Sequence, residues 1–292
     1  MSTNRPTHDR EEKNAIVGGT LYLVATPIGN LADLSERAIK TLSEVDFVAA
    51  EDTRNSGKLL ACFGISKPMV SYHEHNKREK GESIVSRLLS GESCALVTDA
   101  GTPAISDPGE DLVRLCAERG VPVTSVPGAC AAVNALALSG LATGRFVFEG
   151  FLPVPKSERR ERLSVLAEET RTAILYEAPH KLRTTLDDLL ATLGNRRITL
   201  CRELTKMNEE ILRTTLEQAV EIYGEREPRG EYVLILEGGE GGKKKASFFE
   251  GMTVEEHVAH YMAAGMSKMD ATKAVAKDLG VPKNEIYRKI NT

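Results

Sequence analysis

The chain of 292 residues contains no tryptophan, and aromatic side chains make up only 5% of it. Binding built mainly on base-stacking platforms is therefore not favoured by the composition. Cysteine is also sparse. Cys62, Cys94, Cys116, Cys130 and Cys201 are odd in number and widely spaced, and none forms a C-x-x-C pair. That excludes a disulfide framework and a zinc site and points to a reducing cytosol. No apolar run approaches the length of a membrane span, so the expectation is a soluble protein with no membrane contact. No G-x-G-x-x-G follows an early apolar run, no G-x-x-x-x-G-K-[ST] occurs, and there is no N-x-[ST] sequon. An ordinary dinucleotide dehydrogenase and a P-loop NTPase are thereby disfavoured. No large excess of one charge exists: 38 Lys+Arg stand against 42 Asp+Glu, for a net charge of -4. The chain is not a uniformly basic binder, although a local patch can still steer RNA. Residues 1–17 lack a hydrophobic signal core and read as a flexible leader rather than a targeting peptide.

What is present is a core-forming composition, 41% hydrophobic and 27% charged, arranged in an alternating rhythm. Leu21–Ala25, Phe47–Ala50, Met69–Ser71, Ala95–Thr98 and Val123–Val126 read as strands. Leu34–Leu42, Arg54–Cys62, Ser83–Leu89 and Pro108–Glu118 read as the helices between them. This predicts βαβ units and a largely parallel sheet over 18–142. Asp107 suits the N-cap of the fourth helix, Pro108 its first position and Gly120 its stop. Gly128–Leu138 carries no charge and should be buried against a sheet or a partner subunit. A second α/β domain over 143–238 has strands at Phe146–Glu149, Ala173–Tyr176, Ile198–Cys201 and Tyr232–Leu236. Its helices fall at Glu158–Glu168, Lys181–Leu193 and Leu216–Tyr223. Residues 239–250, with Gly238–Gly242 and Lys243–Lys245, read as a flexible basic linker. Residues 251–292 hold three helical patterns, Val254–Ala263, Lys268–Leu279 and Lys283–Ile290. The last two, around Gly280 and Pro282, have the cadence of a helix-turn-helix.

Glycine and proline concentrate at three strand ends: Ala25–Asn30, Thr98–Pro103 and Val126–Ala129. In an open α/β sheet these would lie where ligands bind, and small residues let a ligand approach the backbone. These phrases resemble one family. Leu23-Val24-Ala25-Thr26-Pro27-Ile28-Gly29-Asn30-Leu31, Ala50-Glu51-Asp52-Thr53-Arg54 and the run Thr98 to Gly109 carry the likeness. So do Tyr176-Glu177-Ala178-Pro179-His180-Lys181 and Cys201-Arg202-Glu203-Leu204-Thr205-Lys206. The chain resembles the ribosomal RNA small subunit methyltransferase I group of the tetrapyrrole-methylase-like superfamily. The resemblance implies a two-domain α/β fold with mostly parallel sheets, S-adenosylmethionine in the cleft between domains, and a cytoplasmic homodimer. It further implies 2′-O-methylation of a cytidine ribose in 16S rRNA, at the decoding centre of the small ribosomal subunit. Carried onto this chain, the cofactor contacts would be Pro27, Asp99, Ala100, Gly101, Thr102, Pro103, Ser106, Ala129, Cys130 and Ala131. Tyr176, Glu177, Ala178, Leu204 and Tyr232 would complete them from the second domain.

A sulfonium cation can be stabilised by backbone carbonyls and a carboxylate without a metal, and no ligand cluster with metal spacing is visible. A ribose hydroxyl is a poor nucleophile, so a base or an alkoxide-stabilising group is expected. Arg54, with Glu51 and Asp52, competes for that role with Glu203 and Lys206, next to Arg202. Each cluster mixes signs, and an ion-pair network is the other reading. His73 and His75 form a third cluster that suits RNA contact. His180 reads as a capping or solvent-exposed residue, and Glu209 with Glu210 as a solvated helix start. Lys156, Arg159, Arg160 and Arg162 are candidate RNA-phosphate contacts, as is the run Lys77–Lys80. Two other functions remain open: a tetrapyrrole methylase of the same fold, and a ligand-sensing regulator that binds nucleic acid through its tail.

Overall fold

Near-continuous apolar runs of four residues form strands only if both faces are covered, and that is the arrangement found. The computed structural model describes residues 14–239, 252–279 and 281–290. The first sheet consists of β1 (Leu21–Val24), β2 (Phe47–Ala50), β3 (Met69–Ser71), β4 (Cys94–Val97) and β5 (Val123–Val126). Its order is β3-β2-β4-β1-β5 and every pairing is parallel. Helices α1 (Glu36–Glu44) and α2 (Thr53–Cys62) cover one face, where Leu42 and Leu60 meet Val24, Val48 and Val97. Helices α3 (Lys77–Leu89) and α4 (Gly109–Glu118) cover the other, where Ile84 and Leu112 meet Phe47 and Leu96. The chain leaves adjacent strands β1 and β4 toward opposite faces. Their carboxyl ends therefore flank the switch point at which doubly wound sheets open a crevice.

Caps account for the shifted helix starts. Ser35 Oγ accepts the Ala38 N–H at 3.1 Å, so α1 begins at Glu36 rather than Leu34. Asp107 accepts the Gly109 N–H at 2.7 Å from one position further out than expected, with Pro108 between it and α4. Helix α3 begins six residues before the expected Ser83, because its first turns are polar and carry no apolar stripe to read. The leader bounds also change. Ile16 packs against the first core and the Val17 N–H donates to the Tyr22 hydroxyl at 2.7 Å, so residues 14–17 are tied down.

The second sheet holds β6 (Phe146–Phe151), β7 (Thr172–Glu177), β8 (Arg197–Arg202), β9 (Glu210–Thr215) and β10 (Tyr232–Leu236), in the order β6-β7-β10-β8-β9. Only β6 and β7 run parallel; the other three pairings are antiparallel. A mostly parallel sheet was expected here, but the short 203–209 connection can only bring the chain back antiparallel. Strand β9 stands where Glu209 and Glu210 suggested a helix start. Glu209 instead closes the loop by accepting the Thr205 N–H at 2.6 Å, and Glu210 pairs with Arg202 and Arg226. Helix α5 (Ala131–Ser139) lays Ala132, Ala135 and Leu136 on one face of this sheet against Ile174, Cys201 and Ile235. Its opposite side is not buried: Val133 and Leu138 are exposed. Helices α6 (Lys156–Glu168), α7 (Leu182–Leu193) and α8 (Leu216–Glu225) cover the other face.

The chain divides into two units, the first ending at Gly239 and containing both sheets. The second contains α9 (Val254–Ala263), α10 (Lys268–Asp278) and α11 (Lys283–Ile290) around Val258, Val275 and Ile286. A capping box joins Thr253 to Glu256 at the start of α9. The expected leader up to residue 13, the linker from 240 to 251 with Lys243–Lys245, and the Gly280 stop lie outside the described residues. Among the described residues no helix is long and apolar enough to cross a membrane.

Candidate active site

The three Gly/Pro-rich loops are fastened to each other before they meet anything else. Thr26 and Gly101 exchange backbone hydrogen bonds of 2.9 and 3.1 Å, and Thr26 Oγ1 donates to the Thr98 carbonyl at 3.1 Å. Thr102 Oγ1 donates to the Ala129 carbonyl at 3.0 Å, which links the second loop to the third. Gly101 sits at φ +86°, and a Cβ there would lie 3.3 Å from Ile28 Cγ2. Ala104 and Ser106 hold left-handed conformations at φ +66° and +60°, and Glu203 and Thr205 do so at +52° and +67° in the second sheet. No other described residue but glycine has positive φ. Such strain persists only where the surroundings over-determine it, and both strained loops border one cavity.

The antiparallel pairing of the second sheet explains which residues face those loops. Tyr232, at the start of β10, lies opposite Glu177 and Arg202, which end β7 and β8. Three segments distant in sequence therefore meet at one edge. Between them and the first-sheet loops lies a cavity of about 630 Å³, walled by Gly101, Ser106, Cys130, Tyr176, Leu204 and Tyr232, with Glu51 and Lys206 also on its surface. Contact between the halves is close at Gly29, where a Cβ would fall 2.3 Å from Lys206 Cγ.

Comparison with known proteins agrees with this geometry. Residues 20–220 match the Tetrapyrrole (Corrin/Porphyrin) Methylases family. The Ribosomal RNA small subunit methyltransferase I of Halalkalibacterium halodurans is 50% identical over 288 residues, covering 98% of each chain. This chain belongs to the ribosomal RNA small subunit methyltransferase I family. The protein of the same name from Escherichia coli O157:H7 is 42% identical over 273 residues, covering 92% of this chain and 94% of that one. Among solved structures, the native uroporphyrin III C-methyl transferase of Thermus thermophilus aligns with a TM-score of 0.54 at 21% identity, over 75% of this chain and 97% of its own. A structure of a protein of that name and organism in complex with S-adenyl homocysteine aligns with a TM-score of 0.53 at 21% identity, over 75% and 97%. Diphthine synthase aligns with a TM-score of 0.57 at 16% identity, over 75% and 90%. At these identities the structures establish the tetrapyrrole-methylase fold alone.

In this member of the methyltransferase I family, eleven of the fifteen expected contact residues line the cavity: Ala100, Gly101, Thr102, Ser106, Cys130, Ala131, Tyr176, Glu177, Ala178, Leu204 and Tyr232. Pro27, Asp99, Pro103 and Ala129 do not, being one residue away from those that do. Asp99 instead receives a hydrogen bond from Asn55 Nδ2 at 3.2 Å. Glu177 is buried, with its carboxylate taken by the Thr185 hydroxyl and, at 2.9 Å, by the Ala178 N–H. Its carboxylate is thus already engaged within the protein.

The proposed catalytic trio separates. Arg54 is off the wall, its side chain 85% exposed and forked onto Asp52, the N-cap of α2. Glu203 is off the wall too, accepting from Lys206 Nζ at 2.8 Å and from the Glu231 N–H at 3.0 Å. Only Lys206 lines the cavity. Its burial opposes the charged form, but hydrogen bonds to Glu203 and Glu231 outweigh that and raise its pKa. Lys206 is thus an ammonium group at neutral pH and not a base. Glu51 does line the cavity. Burial first, then the charge of Asp99, lifts its carboxyl above the ordinary glutamate range, against a hydrogen bond from Thr98.

The basic cluster also divides. Arg159 donates to Asp188 at 2.7 Å and to Thr185 at 2.8 Å, bracing α6 on α7. Arg162 lies 3.4 Å from Glu149. Lys156 and Arg160, exposed one helical turn apart, pair with no described residue. Lys77 is held by Glu74 and Asp111 at 2.7 and 2.6 Å. Sequence reasoning missed Phe151, which lines the cavity; so does His180, which is solvent-exposed, one of the two readings expected of it. An aromatic directly after a strand glycine was the available signal for Phe151. Among the described residues no group of His, Cys, Asp and Glu is placed to hold a metal.

Proposed function

We propose that this chain transfers a methyl group from S-adenosylmethionine to small-subunit ribosomal RNA, at the 2′-oxygen of a cytidine ribose in the decoding centre. The observation that carries this reading is 50% identity with 98% coverage of both chains. A macrocycle methylase sharing only the fold aligns with 75% of this chain, which leaves no counterpart for the whole of it. The cavity fits the cofactor. Its volume falls within the usual 300–1,000 Å³ range for small-molecule sites. Gly101, Ala100, Ala131 and Ala178 keep the walls open, while Ile28, Leu204 and Val233 supply apolar surface.

Bound there, S-adenosylmethionine supplies a methyl group on a sulfonium cation. Gly101, Ser106, Cys130, Ala131, Tyr176, Leu204 and Tyr232 would hold it, with Pro27, Asp99, Pro103 and Ala129 shaping the loops. Much of the acceleration then comes from alignment of donor and acceptor. Glu51 takes the proton of the ribose hydroxyl, and the Lys206 ammonium, fixed by two carboxylates, stands by as negative charge develops on oxygen. We infer further that the chain works in the cytoplasm as a homodimer, with the exposed Val133 and Leu138 side of α5 as apolar surface available to a partner.

The test is incubation with radiolabelled S-adenosylmethionine and small subunits lacking the modification, followed by mapping of the label. Incorporation at one cytidine 2′-oxygen is expected. Cofactor binding without such label rejects the reading, and label on a precorrin instead would favour a tetrapyrrole substrate.

A further inference from the structure

The second strand edge presents a ring that the chemistry above does not use. Phe151 ends β6 on the cavity wall with 56% of its surface exposed. Its orientation is imposed by a bulge. Phe148 pairs with Ile174, Gly150 with Leu175 and Phe151 with Tyr176, so Glu149 is the extra residue. Without the bulge, period-two alternation would send Phe151 to the face opposite Phe148; the inserted residue returns it to the same face. The left-handed Gly150, at φ +62°, makes that turn. Tyr176 then meets Phe148 and Phe151 edge-on, with ring centroids 5.2 and 5.6 Å away. The ring is packed on Tyr176 from one side and left open to solvent at the rim of the cavity, where an aromatic face is free to take a partner ring.

We propose that Phe151 is the surface on which the target nucleobase stacks while its ribose reaches the cavity. This rests on the RNA-methylating reading above. Single-stranded bases are recognised by stacking on aromatic faces, and a ring already fixed loses little entropy on binding. The composition disfavours a platform of many rings, but one ring suffices for one extruded base. The exposed, unpaired Lys156 and Arg160 follow directly on α6, where they can meet the flanking phosphates.

Two measurements decide it. In steady-state methylation of small subunits, Phe151→Ala should raise KM for the subunits about tenfold, as loss of one base–aromatic stack does, with S-adenosylmethionine affinity unchanged by calorimetry. Phe151→Tyr should stay near wild type, and Phe151→Leu should be as poor as the alanine variant. A wild-type KM for Phe151→Leu, or a parallel loss of cofactor affinity in Phe151→Ala, overturns the assignment. Because the chain has no tryptophan, Phe151→Trp also places a single fluorophore at this position. A cytidine-containing oligoribonucleotide added with S-adenosylhomocysteine should quench it, and the same oligomer with the cytosine removed should not. Equal quenching by both, or none by either, overturns it. If the wild type labels no RNA at all, the proposed function fails, while the fluorescence comparison still judges the stacking surface.

Discussion

Glu51 and Lys206 face the same cavity, and partial desolvation pushes their pKa values in opposite directions, although Glu51 keeps much of its surface in solvent. For Lys206 the two carboxylates win, and the charge is kept; for Glu51 burial wins, aided by Asp99. A folded-state pKa above the unfolded one means that the native state prefers protonated Glu51. Its stabilising contribution is complete at low pH and is lost as pH rises through the raised value. The base proposed above acts in the opposite form, so turnover should climb as Glu51 ionises and then level off. Glu51→Gln is expected to lower kcat by roughly 10²–10⁴-fold and to erase that acidic limb. Its melting temperature at neutral pH should be equal to or above wild type. A pH–rate profile beside a thermal melt checks both. An unchanged acidic limb in the variant would assign the titration to another group.

The β6 bulge is an element-scale device, and Gly150 is where it can be broken. Alanine there must adopt a left-handed conformation, at a cost of about 1–2 kcal/mol, and its Cβ would stand 3.3 Å from Ser106 Oγ. Gly150→Ala is expected to lower the unfolding free energy by about that amount, with its midpoint at lower urea, and to raise KM for the RNA substrate more than it weakens cofactor binding. Urea titration and steady-state kinetics read the two effects separately. The same scale shows what patterning makes legible. Buried strands such as Phe47–Ala50 and the alanine-rich α5 announce themselves by composition. Strand β9 and the first half of α3 do not, because each is a half-solvated edge or end whose polar residues fit more than one conformation.

For the molecule as a whole, the cavity wall runs from Ile28 to Val233 and so lies entirely within the first unit. The second unit has its own small core of Val258, Ala271, Val275 and Ile286. A protein ending at Gly239 should therefore unfold cooperatively and bind S-adenosylmethionine with the affinity of the full chain. Calorimetry on that truncation checks this, and loss of cofactor binding would show that the helical unit supports the site.

Local chemistry determined the parallel first sheet and its Gly/Pro-rich strand ends, because short-range propensity and backbone reach act within a few residues, while the second-sheet part of the cavity wall was expected only from the family resemblance. Tertiary structure decided the rest. Arg54, paired with Asp52, and Glu203, paired with Lys206 itself, were distinguished from Lys206 only by their places relative to the cavity. Glu51 acquired its raised pKa from partial desolvation at the cavity rim and the charge of Asp99, 48 positions later in the chain, and Phe151 reached the wall through the pairing register of β6 with β7. Burial, charge proximity and register are relations between distant segments, and no window of sequence contains them.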